Sequence, residues 1–271
     1  MDGEYPRLDR ERLSTLTALI LLTYGLIRVV SLPSPSADLA FLGLVIRFEL
    51  NTRIIMLTLA SALAVAGVDW LMESHPAAET QRRAVEHWII PALAAFGIGD
   101  LLSRLPAGPA LWIGLILAAG LLIATMVAEF LVVDARDPRR DVAAIGLRAL
   151  VYLLLVQSVF AVRAAGLRAF FAVPAIFLAS TAVTWRLLKL SRVGGRVRLY
   201  ALLAGGITSQ LAWGLHYLPL EPLAFSLLTG LAAYVASGLL LSHLEDGIGF
   251  FRAVEYGLLS VLALIAILSL T

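Results

Sequence analysis

Residues 111–133 read LWIGLILAAGLLIATMVAEFLVV, an apolar run interrupted by one charge, Glu129. A helix that crosses the hydrocarbon of a bilayer needs about 20 predominantly apolar residues, so this run predicts a membrane-spanning helix. Similar runs lie on either side of it, at about 14–30, 54–71, 87–105, 142–162, 169–190, 200–218, 223–243 and 253–270. The separators ESHPAAETQRRAVE, PAGP, DARDPRRD, RAAGLR, SRVGGRVR, PLEP and EDGIGFFR are rich in charge or turn residues, and none is long enough for a soluble domain. The fold class expected is therefore all-α: one polytopic transmembrane helical bundle over 1–271 with about nine spans, eight being possible. Residues 1–12 form a short leader. No repeat and no low-complexity tract is evident.

Composition says the same. The chain of 271 residues is 60% hydrophobic and 15% charged, with a mean hydropathy of +0.91. A soluble domain is roughly 45–50% apolar and about 25% charged, so a water-soluble globule is excluded. The absence of cysteine removes disulfides, thiolate metal sites and cysteine nucleophiles. A net charge of +2 is too small to argue for nucleic acid, and no cofactor is expected.

One stretch resists this reading. Leu39–Met72 is too long for one span and too short for two, and Arg47, Glu49, Asn51 and Arg53 interrupt it. Polar residues so closely spaced are costly at the bilayer centre. Leu39–Leu50 is read as an amphipathic interfacial or re-entrant segment preceding a span over Ile54–Leu71. The alternative is one long tilted helix.

Basic residues set the expected threading. With the amino terminus inside, one face collects Arg7, Arg10, Arg12, Arg82, Arg83, Arg136, Arg139, Arg140, Arg186, Lys189, Arg192, Arg196, Arg198 and Arg252. The other holds Arg28, Arg47, Arg53, Arg104, Arg163 and Arg168. The bias predicts a cytoplasmic amino terminus and, with an odd number of spans, an external carboxy terminus. The run Arg186–Arg198 is expected to face anionic lipid headgroups, beyond serving topology.

Motifs for chemistry are sparse. Gly97-Ile98-Gly99-Asp100 looks like the Gly-x-Gly-Asp signature of presenilin and prepilin-peptidase type intramembrane aspartyl proteases. That chemistry requires a second aspartate at the same depth. Asp69 is the candidate, but threading sets it about 15–20 Å from Asp100 along the membrane normal. An i,i+4 ion pair with Arg104 accounts for Asp100 more simply. Val235-Ala236-Ser237-Gly238 lacks the first glycine of a rhomboid-like motif, and no His-Glu-x-x-His occurs. Asp134-Ala135-Arg136-Asp137 and Asp141 cluster in one connection, but Arg136, Arg139 and Arg140 neutralise them, which reads as a solvated turn rather than a metal site.

Two polar groups remain as candidates. Gln210, Trp213 and Tyr217 share a helix face, with His216 and Glu221 nearby and Arg163 a possible neighbour. They could form an aromatic belt or a small polar pocket at the outer surface. On the cytoplasmic side lie Glu129, Arg148, His243, Glu245, Asp246 and Glu255. Glu129 and Arg148, on consecutive helices, could pair as structural glue or serve function.

The run from Trp213 through His216, Tyr217 and Pro219, then Tyr234, His243-Leu244 and Glu255-Tyr256, resembles the end of an uncharacterised family of polytopic bacterial membrane proteins. The resemblance covers roughly the last seventy residues. It implies no activity and no catalytic residue, and it favours a bacterial inner membrane. Twenty arginines against a single lysine fit a GC-rich genome. The functions in view are small-solute binding or transport, an accessory subunit of a membrane complex, or an intramembrane enzyme acting on a lipid or isoprenoid at the cytoplasmic face.

Overall fold

The structure, a computed structural model, describes residues 9–30, 36–41, 44–49, 52–73, 85–134, 137–192, 194–245 and 249–268. Among these residues the chain forms nine helices and one hairpin: α1 (Arg10–Val29), β1 (Ser36–Phe41), β2 (Leu44–Glu49), α2 (Thr52–Met72), α3 (Glu86–Arg104), α4 (Pro109–Val133), α5 (Arg140–Ala164), α6 (Ala169–Leu190), α7 (Val197–His216), α8 (Pro222–Glu245) and α9 (Phe250–Leu268). Each expected span coincides with a helix. In lipid a helix satisfies its backbone within one segment. The local signals agree: the Asp9 carboxylate accepts the N–H groups of Glu11 and Arg12 to open α1. Pro109 and Pro222 stand at first helical positions, where a missing N–H costs nothing.

Six helices, α1, α2, α4, α5, α6 and α8, are long and apolar enough to cross a membrane, which makes this a membrane-embedded protein. The expected count of about nine crossings thus narrows to six that qualify on length and composition alone. Charge explains one shortfall, since α3 carries Glu86, Asp100 and Arg104. In α9 the apolar stretch is shorter, Val254–Ile267.

Where an amphipathic interfacial or re-entrant segment is expected over Leu39–Leu50, β1 and β2 pair antiparallel, with Ser36 opposite Glu49, Asp38 opposite Arg47 and Phe41 opposite Leu44. The long tilted helix is excluded, because α2 begins at Thr52. Alternation of apolar and charged residues from Ile46 to Glu49 has the period of a strand, which no helix face could bury.

The helices group into two compact units, Met1–Arg140 and Asp141–Thr271. In the first, α2 packs on α1 and α3, and α3 on α4. Small residues permit it: Ala60 and Ala64 are fully buried on α2, and a Cβ on Gly99 of α3 would stand 2.5 Å from Leu57 and 2.6 Å from Tyr24. In the second, α7 packs on α6 and α8, and α8 on α9. Here Gly205 of α7 meets Thr181 of α6, and Gly238 of α8 meets the Tyr256 ring of α9.

Candidate functional site

In the first unit the polar chemistry gathers on α3. Pro91 sits inside this helix and withholds one N–H from its ladder. Two carbonyls of the following turn each accept a side-chain bond from a neighbouring helix. Ser61 Oγ donates to Ala92 O at 3.1 Å, and the Tyr24 phenol donates to Ala95 O at 2.6 Å. Tyr24 can come this close because Gly99 has no side chain.

At the end of α3, Asp100 is buried, and Arg104 donates to it through Nε at 3.0 Å. The expected i,i+4 pair is present. Arg53, from the first turn of α2, donates to the same carboxylate and to Asp100 O at 3.3 Å. Arg28, in the last turn of α1, donates to Leu102 O and Leu105 O. Asp69 lies elsewhere, accepting from Trp88 Nε1 at 3.0 Å. Trp88 precedes Asp100 by twelve residues of helix, about 18 Å, so Asp69 does not form an aspartyl dyad with Asp100. The Gly-x-Gly-Asp motif has a packing explanation: its second glycine admits Tyr24 and Leu57, and its aspartate ties the start of α2 to the end of α3.

The other end of α3 meets the end of α4. His87 Nδ1 lies 2.9 Å from Glu129 Oε2, and the Glu129 side chain is fully buried. Glu129 and Arg148 belong to different units, and each has a partner in its own: His87 for Glu129 and Ser191 Oγ, at 3.2 Å, for Arg148.

In the second unit the outer cluster is organised by Arg163 in the last turn of α5. Gly166, at φ 65, closes that helix in the left-handed conformation a glycine adopts without strain. Arg163 then donates to His216 O at 3.4 Å, Leu218 O at 3.4 Å and Leu220 O at 3.3 Å. Its guanidinium lies 5.1 Å from the Phe225 ring centre. It thus satisfies carbonyls of the α7–α8 turn that have no helical partner.

His216 stacks edge-on against Tyr217 and Phe225, and Trp213 Nε1 donates to the Tyr217 phenol at 3.2 Å. Gln210 and Glu221 are exposed. Trp213 and Tyr217 line a groove of about 630 Å³ together with Ala169, Phe170, Phe171, Val173 and Pro174 of α6. The cavity beside this cluster is therefore apolar and aromatic, and His216 and Glu221 are not in its lining.

The residues expected at the opposite face are more scattered. His243 is exposed, its ring 6.4 Å from that of Tyr200. Glu245 and Glu255 are exposed, and Asp246 lies outside the described residues. In the run Arg186–Arg198, Arg186 is buried, whereas Lys189, Arg192, Arg196 and Arg198 are exposed. Arg198 stands over the Trp185 ring at 5.8 Å. Deeper in the unit, the Tyr152 phenol and Ser237 Oγ are 2.7 Å apart, and the Tyr152, Tyr234 and Tyr256 rings form a chain with steps of 5.4 Å and 5.7 Å. Among the described residues no three His, Cys, Asp or Glu side chains converge to hold a metal.

Reading the sequence missed His87, Arg53 and the Phe170–Phe171 pair. Counting outward from the short α3–α4 connection would have found the first, since His87 and Glu129 lie about equally far from it along antiparallel helices. Nothing comparable marks Arg53, which reaches Asp100 across separate segments.

Comparison with curated proteins and with solved structures gave no match. A family model does match, over residues 32–270, far beyond the last seventy residues in which the resemblance was noticed. The chain belongs to the family described as Protein of unknown function (DUF5656).

Proposed function

We propose that this membrane protein binds the apolar part of a lipid-like molecule in the groove between α6 and α7, and that its role is binding rather than chemistry. The observation that carries this reading is the lining of the groove. Its volume, about 630 Å³, falls within the ~300–1,000 Å³ common for ligand pockets. Ala169, Phe170, Phe171, Val173 and Pro174 contribute no polar side-chain atom. The two that do, Trp213 and Tyr217, spend the indole N–H on the phenol oxygen. The phenol proton remains to be donated, which suits an ester carbonyl at the polar end of an acyl chain. Phe170 and Tyr217 are largely exposed, so the groove opens toward the surroundings of the helices, where lipid is the solvent.

The same reading sets nine crossings in a bacterial inner membrane with a cytoplasmic amino terminus. Its support is the arginine asymmetry between alternate connections and the coincidence of each apolar run with a helix.

Native mass spectrometry of the protein extracted with its lipids tests the binding role. The wild type is expected to retain one lipid-like molecule under activation that strips it from Ala169→Phe and Val173→Phe, both of which fill the groove. Equal retention in folded variants would overturn the proposal. A stoichiometric protein partner in place of the small molecule would replace it with the accessory-subunit reading.

A further inference from the structure

We infer that the groove between α6 and α7 selects an acylglycerol, a lipid with a free hydroxyl beside its ester, and that Pro174 sets this preference by leaving the Phe170 carbonyl to accept the hydroxyl. The inference rests on the lipid-binding reading of that groove and adds the chemistry of the polar end. Each turn of a helix is closed by an N–H that donates to the carbonyl four residues before it. Pro174 lies inside α6 and has no N–H, so Phe170 O loses that donor. Among the described residues no side chain takes its place.

That carbonyl opens on the groove. Phe170 and Pro174 stand one turn apart on the same face of α6; both line the groove, and both are exposed. A helical carbonyl points along the axis toward the residue four positions on. Phe170 O therefore lies between these two lining residues, and the pyrrolidine ring presses it away from the helical ladder. A carbonyl carries two lone pairs and no proton. In lipid, a backbone group freed by proline needs a donor from outside its own ladder.

Complementarity then fixes the polar end of the ligand. The Tyr217 phenol brings a proton, since its oxygen already accepts from Trp213 Nε1 at 3.2 Å, and Phe170 O takes one. An ester offers acceptors alone and answers only the phenol. A hydroxyl beside the ester supplies the missing donor, as in a mono- or diacylglycerol. No charged side chain lines the groove, which disfavours a phosphate at the same place. Depth agrees: Phe170 is in the first turn of α6, a helix long enough to cross a bilayer. Trp and Tyr, as at 213 and 217, gather at headgroup level, where the esters and hydroxyls of glycerides lie.

The test gives the full chain in detergent either dioleoylglycerol or its methyl ether, which keeps both esters and lacks the donor, and reads retention by native mass spectrometry. The wild type is expected to hold the alcohol about fivefold more tightly than the ether, the worth of one hydrogen bond. Pro174→Ala returns an N–H to the ladder and should hold the two lipids alike. Tyr217→Phe removes a bond that both lipids make, so it should weaken both and keep their ratio. Equal retention of the two lipids by the wild type would overturn this inference and leave the lipid-binding reading standing, whereas retention of neither would overturn both. A preference that survives in Pro174→Ala, or vanishes in Tyr217→Phe, would take the hydroxyl away from Phe170 O and overturn the role given to Pro174.

Discussion

The two units hold their polar groups by different physics. In the first, three acids are buried and paired, Asp100 with Arg53 and Arg104, Glu129 with His87, and Asp137 with Arg139, while Glu11, Asp69 and Glu73 are exposed. In the second, every described acid, namely Asp141, Glu221, Glu245 and Glu255, is exposed. Its polar contacts run instead through hydroxyls, rings and backbone carbonyls, as with Arg163 at the α7–α8 turn and Tyr152 at Ser237. A buried ion pair is expensive to break from one side, because the partner stays behind uncompensated. A hydroxyl contact or a ring stack is worth about 1 kcal/mol and leaves no charge stranded. The first unit should therefore be brittle toward single charge deletions, and the second tolerant.

The sharpest way to break that contrast is Asp100→Ala against Glu221→Ala. Removing Asp100 strands two arginines beside a helix end. Because both reach water in part, the loss should be about 3 kcal/mol, at the low end for a buried pair. Glu221→Ala removes an exposed side chain and should stay within about 0.5 kcal/mol. Thermal unfolding in detergent reads both. Equal losses would mean that the two units are held in the same way.

Next in size are the glycine notches. In Gly99→Ala the new methyl meets Leu57 and Tyr24, and Tyr24 is tethered by its bond to Ala95 O. The cost should be about 2 kcal/mol, as for an overpacked core. In the second unit Gly205→Ala meets the Thr181 hydroxyl, a buried group without a hydrogen-bond partner that no bond holds in place, with the Phe177 carbonyl and Thr181 Cβ at a tight 3.1 Å. Its cost should be smaller, about 1 kcal/mol. Gly120 faces open space, so Gly120→Ala should stabilise its helix by up to about 1 kcal/mol. A larger loss at Gly205 than at Gly99 would show that tethering is not what makes the first unit rigid.

Which of these features the sequence discloses follows from their range. Long apolar runs bounded by charge declare a helix locally, and each of the nine runs became one. The Asp100–Arg104 pair lies within one helix turn and is equally local. The hairpin at 36–49 was obscured because its strand alternation spans a few residues and its polar content also fits an interfacial segment. Arg53 beside Asp100, and the groove between Phe170 and Trp213, depend on which helices pack and at what depth, which no single segment encodes. The division at Arg140–Asp141 has no mark either, since DARDPRRD reads like the other connections.

A matched pair of hydrogen bonds isolates charge as the cause of the contrast. Tyr24→Phe removes the phenol bond to Ala95 O in the first unit, and Tyr152→Phe removes the contact with Ser237 in the second. Neither strands a charge, and Ser237 keeps its own bond to Ala233 O. Both variants should lose about 1 kcal/mol, measured by the same unfolding assay. A difference of more than twofold between them would move the explanation from charge to packing.

The smallest expected effects lie where the sequence first drew attention. Glu255 is exposed on α9, so Glu255→Ala should change stability by less than about 0.5 kcal/mol. His216→Ala loses the ring contacts with Tyr217 and Phe225, worth about 0.5–1 kcal/mol. It keeps the backbone carbonyl that Arg163 grips, so the α7–α8 turn should hold its shape. Both variants should insert and express as the wild type does. If His216→Ala instead unfolded the protein as thoroughly as Asp100→Ala, its imidazole would be holding the turn, and the second unit would share the brittleness of the first.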